Sequence, residues 1–156
     1  MGRKEDFDFL AGREWRVHNR VLAQRLAGSE EWNEFEATLL DFRHILAGYG
    51  NVDRFLANRN GQAYEASSIR IFDPKSGEWQ IYWTDTLSYR VTPQVVGRFE
   101  GERGEFFGEE PWNGKSMKLR FRWPDVGSSK PRWEQAYQDP GTGDWETNWT
   151  MTFEAK

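Results

Sequence analysis

The chain predicts an all-β fold: a single antiparallel up-and-down β-barrel of about ten strands, preceded by a short helical turn. Three observations carry this expectation. Apolar and polar residues alternate in run after run, as in Trp79-Gln80-Ile81-Tyr82-Trp83 and Met117-Lys118-Leu119-Arg120-Phe121-Arg122-Trp123. A period of two buries one face of a strand and wets the other. The connections are short, and no long helical pattern interrupts them, which suits a meander closing on itself to remove its edges. Finally, nine tryptophans fall in 156 residues, and 16% of the chain is aromatic against 37% hydrophobic. A few large rings, each burying roughly 150–250 Å², thus replace many aliphatics. A β-sandwich is the alternative, but its crossovers need longer connections than most of these.

The elements follow in order. Phe7 to Gly12 reads as a turn or short helix, and the first strand runs from Trp15 to about Val21. Leu22 to Glu31 reads as a loop or one helical turn. The second strand starts near Trp32 and extends toward Ile45, and Ala47-Gly48-Tyr49-Gly50 turns the chain into a third strand, about Asn51 to Ala57. Asn58-Arg59-Asn60-Gly61 is a turn signal before a strand from Tyr64 to Phe72. Asp73-Pro74-Lys75-Ser76-Gly77 makes a hairpin loop into Glu78–Thr84. Asp85 to Pro93 is irregular. Val95–Glu100 and Glu105–Glu109 flank Gly101–Gly104, and Asn113-Gly114 is a strong hairpin signal before Ser116–Trp123. Arg132–Gln138 and Trp145–Glu154 complete the set, separated by Pro140-Gly141-Thr142-Gly143-Asp144.

Composition narrows the function. Residues 1–156 are expected to form one domain, long enough to bury a real core. The net charge is −4 with both signs interspersed, which gives no basic footprint for nucleic acid. Cysteine is absent, so disulfides, thiolate metal sites and a cysteine nucleophile are excluded. The start, Met1-Gly2-Arg3-Lys4-Glu5-Asp6-Phe7, has no apolar core of a secretory signal, and no apolar run approaches the ~20 residues that cross a bilayer. The expectation is a soluble, cytoplasmic protein without membrane partners.

The stretch Phe7-Asp8-Phe9-Leu10-Ala11-Gly12-Arg13-Glu14-Trp15 resembles the opening of calycins, the superfamily of lipocalins, fatty-acid-binding proteins and nitrobindin-like proteins. There a Gly-x-Trp motif starts the first strand, whereas this chain has Gly-x-x-Trp. Arg70 to Pro74, Trp79 to Trp83, Val96 to Gly101 and Trp133 to Ala136 are similar to an uncharacterised bacterial family of calycin-like domains. The resemblance spans nearly the whole chain and implies a calycin-like barrel, with no established activity. Nitrobindin-like proteins hold haem through a late histidine. This chain has only His18 and His44, both early, so the resemblance implies no haem, and no other cofactor is expected.

Strand phase decides what the barrel holds. One face of the late strands carries Met117, Leu119, Phe121 and Trp123, then Trp133, Gln135 and Tyr137, then Trp145, Thr147, Trp149, Met151 and Phe153. The other carries Lys118, Arg120, Arg122, Glu134 and Glu146. Burial at about 25 cal/mol per Å² favours the aromatic face inside. The reverse puts three cations inside and implies an anionic ligand. With the aromatic face inward, Trp15, Trp79, Trp83, Trp123, Trp133, Trp145 and Trp149 surround one space, while Trp32 is out of phase and Trp112 sits beside a turn. The candidate ligand-binding residues are Trp15, Asn19, Trp83, Asp85, Trp133, Gln135, Tyr137 and Trp149. An apolar pocket with a few placed polar groups suits a small apolar or aromatic ligand. The same polar groups could instead bond backbone in a solid core.

Other chemistry has weaker signals. His18 alternates outward, and His44 has no visible partner for acid–base work. Zinc lacks close ligand spacing. Ser67-Ser68 and Ser128-Ser129 lack a nucleophile elbow, and no glycine loop opens a helix. Asp53 and Asp85 could pair as general acid and base. Three readings follow: a small-molecule binding barrel; an isomerase, hydrolase or decarboxylase using Asp85, Tyr137 or Asn19; and an interaction protein with a filled core. Tyr82, Phe106 and Trp32, read as out of phase, suggest a homodimer patch.

Overall fold

The computed structural model describes residues 2–156. Ten antiparallel strands close one barrel: β1 (Trp15–Leu22), β2 (Trp32–Ile45), β3 (Gly50–Arg59), β4 (Gln62–Asp73), β5 (Glu78–Asp85), β6 (Val95–Glu100), β7 (Arg103–Trp112), β8 (Lys115–Trp123), β9 (Arg132–Gln138) and β10 (Trp145–Ala155). Each strand pairs with its sequence neighbour, and β1 pairs with β10 to shut the ring, Trp15 opposite Ala155 and Val21 opposite Trp149. The all-β, up-and-down expectation holds, and the closed ten-strand barrel is compatible with a calycin-like one.

Local chemistry sets several joints. Asn60-Gly61 and Asn113-Gly114 each put two successive residues at positive φ (53° and 81°; 50° and 75°). That twist matches the flanking strands, so both hairpins close in two residues. The first tightens the expected four-residue turn, because Arg59 already pairs with Gln62. Gly97 on β6 is a close-approach glycine: a Cβ there would lie 1.9 Å from the Glu105 carbonyl oxygen.

The end of the barrel that holds Phe7 and Leu10 is solid. Phe7 and Leu10, around a 3-10 turn at Asp8–Leu10, are fully buried. Phe7 meets Trp79 edge-on at 4.9 Å and Phe99 at 5.1 Å, with Phe106 and Trp123 beside it. Trp15 Nε1 donates to the Leu10 carbonyl at 3.1 Å and ties the plug to β1. Phe106 is therefore core, contrary to the expectation of an exposed ring: it faces Gly97 and Phe121 in register, so it shares their inward face. Trp32 and Tyr82 do lie outside that core. Arg20 stacks 4.9 Å over the Trp32 ring, and Tyr82 donates to Gln94.

The aromatic face of β8 and β9 points inward, as burial area requires. A β-bulge in β10 alters the phase above it. The register steps from Thr147 opposite Ala136 to Trp149 opposite Gln135, leaving Asn148 unpaired. Below the bulge, Trp149, Met151 and Phe153 face in, as expected. Above it, Trp145 and Thr147 face out and Glu146, opposite Tyr137, faces in, the reverse of strict alternation. One extra residue inverts the parity. Trp145 then covers Arg120 on the outer wall, its ring 4.6 Å from the guanidinium carbon and 6.1 Å from Phe107. Arg120 is consequently almost buried although it points away from the barrel interior.

Candidate functional site

Above the plug the barrel is not filled. A cavity of about 300 Å³ runs from mid-barrel toward the mouth, where the β1–β2 and β5–β6 loops contribute Arg25, Ser88, Thr92 and Pro93. Its aromatic wall is a chain of edge-on contacts. Phe55 meets Trp83 at 5.5 Å, Trp83 meets Trp149 at 6.0 Å, Trp149 meets Trp133 at 5.8 Å, and Trp133 meets Phe121 at 5.0 Å. Edge-on contacts of this kind suit the ring quadrupoles, each worth about 0.5–1.5 kcal/mol beyond its buried area.

The floor is polar. Arg70, on β4, and Asp53, on β3, are both buried and lie 2.8 Å apart. Arg70 Nη1 also donates to Asn51 Oδ1 at 2.8 Å, and Asp53 Oδ1 accepts the Ser68 backbone N–H at 3.1 Å. The Arg70 guanidinium lies 4.8 Å above the Phe7 ring, so this pair separates plug from cavity.

At the mouth, Asp85 Oδ2 accepts from the Tyr64 hydroxyl at 2.9 Å and from Trp83 Nε1 at 3.4 Å. Its Oδ1 accepts the backbone N–H groups of Leu87 and Ser88 and the Ser88 hydroxyl. Burial pushes the Asp85 carboxyl up, but the Ser88 N–H, the Tyr64 hydroxyl, Trp83 and the Ser88 hydroxyl together hold it below its ordinary value. It stays ionised. Burial, then the charge and hydrogen bond of Asp85, push the Tyr64 phenol up, so that group stays protonated and donates.

A second mouth cluster joins β7, β9 and the β1–β2 loop. Tyr137 donates to Glu110, Arg25 donates to the Tyr137 oxygen at 2.8 Å, and Arg25 lies 4.0 Å from Glu110. Burial and the Glu110 contact raise the Tyr137 phenol. Glu146, turned inward by the bulge, accepts the Leu26 N–H at 2.6 Å and fastens the same loop.

Of the eight sequence-derived residues, Trp83, Asp85, Trp133, Gln135 and Trp149 line the cavity. Asn19 lies behind the wall: fully buried, it accepts from Trp149 Nε1 at 3.0 Å and fixes that ring. Tyr137 stands behind Glu110, and Trp15 belongs to the core beside Phe153. The seven-indole ring is corrected accordingly. Trp83, Trp123, Trp133 and Trp149 line the cavity, Trp15 and Trp79 fill core, and Trp145 lies outside.

Asp53 and Asp85 do not bond one another: Asp53 is held by Arg70 and the Ser68 N–H, and Asp85 by Tyr64, Trp83 and the Leu87 and Ser88 N–H groups. His18 sits on the outer wall between Glu36, 2.5 Å away, and Glu34, 2.7 Å away. His44 does have a partner, Asp8 at 2.8 Å, at the exposed plugged end. Arg70 and Ser68 were missed as lining residues, although they alternate with Ala66 and Phe72 on one face of β4. Glu110 and Arg25 carried no signal, because their meeting depends on the fold of a loop. Among the described residues no group of three or more His, Asp or Glu side chains is disposed to hold a metal ion, and no helix is long and apolar enough to cross a membrane.

The chain matches no model of a known protein family and no curated protein.

Proposed function

We propose that this protein is a binding module that holds one small apolar or aromatic molecule inside a calycin-like barrel. The observation that carries the reading is the contrast between the two halves of the interior. One end is packed solid around Phe7, while the other keeps about 300 Å³ open behind rigid aromatic walls. Close packing is the default for protein interiors, and small-molecule sites begin near this volume. Asn19 and Asp85 brace the indoles of Trp149 and Trp83 at the cavity edge, which preorganises them. The calycin resemblance supports the barrel, and the interspersed charge offers no basic footprint for nucleic acid. Catalysis by Asp85 is the weaker reading, because a carboxylate held below its ordinary range is a poor general base.

Titration with the uncharged fluorophore N-phenyl-1-naphthylamine tests the reading. Saturable quenching of tryptophan emission is expected, with a stoichiometry of one per chain and loss of the signal in Trp149→Ala. Unchanged tryptophan emission across the titration would remove the proposal.

A further inference from the structure

The charges lining the cavity do not cancel, and the remainder points to a ligand class. Four charged side chains line it: Arg25, Arg70, Asp85 and Glu110. Arg70 is neutralised by Asp53 at 2.8 Å. Arg25 is neutralised by Glu110 at 4.0 Å, with the Tyr137 hydroxyl bonded to both. The partners of Asp85 are all uncharged: the Tyr64 hydroxyl, the Trp83 indole, the Ser88 hydroxyl and two backbone N–H groups. Arg59 is stacked over the rings of Phe35, Tyr64 and Trp149 at 4.6, 5.0 and 5.8 Å, makes no ion pair with Asp85, and does not itself line the cavity. Neutral donors stabilise the Asp85 charge without cancelling it, so a negative potential persists at this corner.

The same corner is built of indole. Trp83 donates to Asp85, and its ring stands edge-on to Trp149 and Phe55. A cation within about 6 Å of an indole face is attracted by the ring quadrupole, more so where water is excluded. A carboxylate without a cationic partner, in a corner walled by indoles, therefore favours an organic cation over a neutral or anionic analogue of the same shape.

Resting on the proposed binding function, we infer that the ligand is a small hydrophobic amine. Its protonated nitrogen sits against Asp85 and Trp83, and its apolar body lies along Trp133 and Phe121. The Arg70–Asp53 pair at the floor offers a polar end but no free charge, so it does not compete for an anionic head.

Three shape-matched probes separate the possibilities: 2-phenylethylamine, 2-phenylethanol and 3-phenylpropionate, measured by calorimetry near pH 7. The amine is expected to bind about tenfold or more tightly than the alcohol, and the carboxylate weakest of the three. Asp85→Asn keeps an acceptor for the Leu87 and Ser88 N–H groups and removes the charge. It is expected to lower amine affinity about tenfold and alcohol affinity by clearly less, since loss of the Trp83 brace falls on both probes while loss of the charge falls on the amine alone. If the alcohol equals the amine, or the carboxylate binds best, the amine inference falls while naphthylamine binding keeps the binding function standing. Failure of all three probes with naphthylamine still bound also sinks it. Should Asp85→Asn not fold, the order of the three affinities on the wild-type protein decides alone.

Discussion

Replacing Asp53 with Asn should destabilise this barrel severely, although it exchanges one carboxylate oxygen for an amide nitrogen. The Asp53 side chain has no solvent exposure and that of Arg70 only 7%, and their charged atoms are 2.8 Å apart. Asp53 Oδ2 has no aligned hydrogen bond, so its contact with Arg70 is coulombic. With charge centres roughly 4 Å apart and an effective dielectric near 20, the attraction is about 4 kcal/mol. Asn at this site keeps the shape and can still accept the Ser68 N–H, but it strands a guanidinium between the Phe7 ring and the cavity. Breaking one partner of a buried pair costs about 3–5 kcal/mol, consistent with that figure. Urea denaturation followed by tryptophan emission measures it, with an unchanged m-value as the check that the same transition is observed. Arg70→Met in the Asp53→Asn background should recover most of the loss, since removing both charges leaves neither unpaired. The uncovered Arg70 in Asp53→Asn should also raise affinity for 3-phenylpropionate. A stability loss under about 1 kcal/mol, or no rescue by the double change, would refute the account of the floor.

Three further outcomes follow from the same geometry. Trp149→Phe deletes the indole N–H that satisfies the buried Asn19 oxygen at 3.0 Å, and should cost about 1–3 kcal/mol in urea denaturation and weaken naphthylamine binding. Gly97→Ala drives a methyl to 1.9 Å from the Glu105 carbonyl oxygen, a backbone atom that cannot swing aside, and should cost 3 kcal/mol or more, roughly the upper range for overpacking, seen as a lowered Tm or insoluble product. Hydrogen bonds from the His18 ring to the Glu36 and Glu34 carboxylates raise its pKa above the ordinary value. A raised folded-state pKa adds stability that is complete below the unfolded value of about 6.5 and is lost as pH climbs through the folded value. Because the ring is 43% exposed, the effect should be under about 1 kcal/mol: Tm declines slightly between pH 6 and 8 in the wild type and not in His18→Gln.

How far the sequence could be read varies with the kind of fact. The alternation of Trp133, Gln135 and Tyr137 was legible because a paired strand with one buried face has only one workable parity. The upper part of β10 was not. Trp145 and Trp149 are four residues apart and share a phase in any regular strand. The bulge at Asn148 breaks that link, and no glycine or proline marks it. Asn148 accepts from Gln135 Nε2 at 2.8 Å, so the irregular residue is used to hold a cavity-lining amide. That pairing is a tertiary fact with no local trace. The β7 strand likewise ran past its expected end to Trp112, bringing Glu110 into the wall, because the tight Asn113-Gly114 turn lets pairing continue to Trp112 and Lys115.

Arg70 shows why the cavity lies where it does. A charged residue on the inward face of β4 would ordinarily be an error of patterning, and its compensation is divided among three residues on two elements: Asp53 and Asn51 from β3, and Phe7 from the N-terminal turn. Phe7 fills the lower barrel and gives the guanidinium an aromatic surface beneath. Asp53 cancels its charge, and what remains above is a neutral polar floor. The aromatic content of the chain therefore divides by task. Trp15, Trp79, Phe7, Phe99 and Phe106 make one end of the barrel too dense to hold anything. That density holds the floor in place, and with it the space enclosed by Trp83, Trp133 and Trp149.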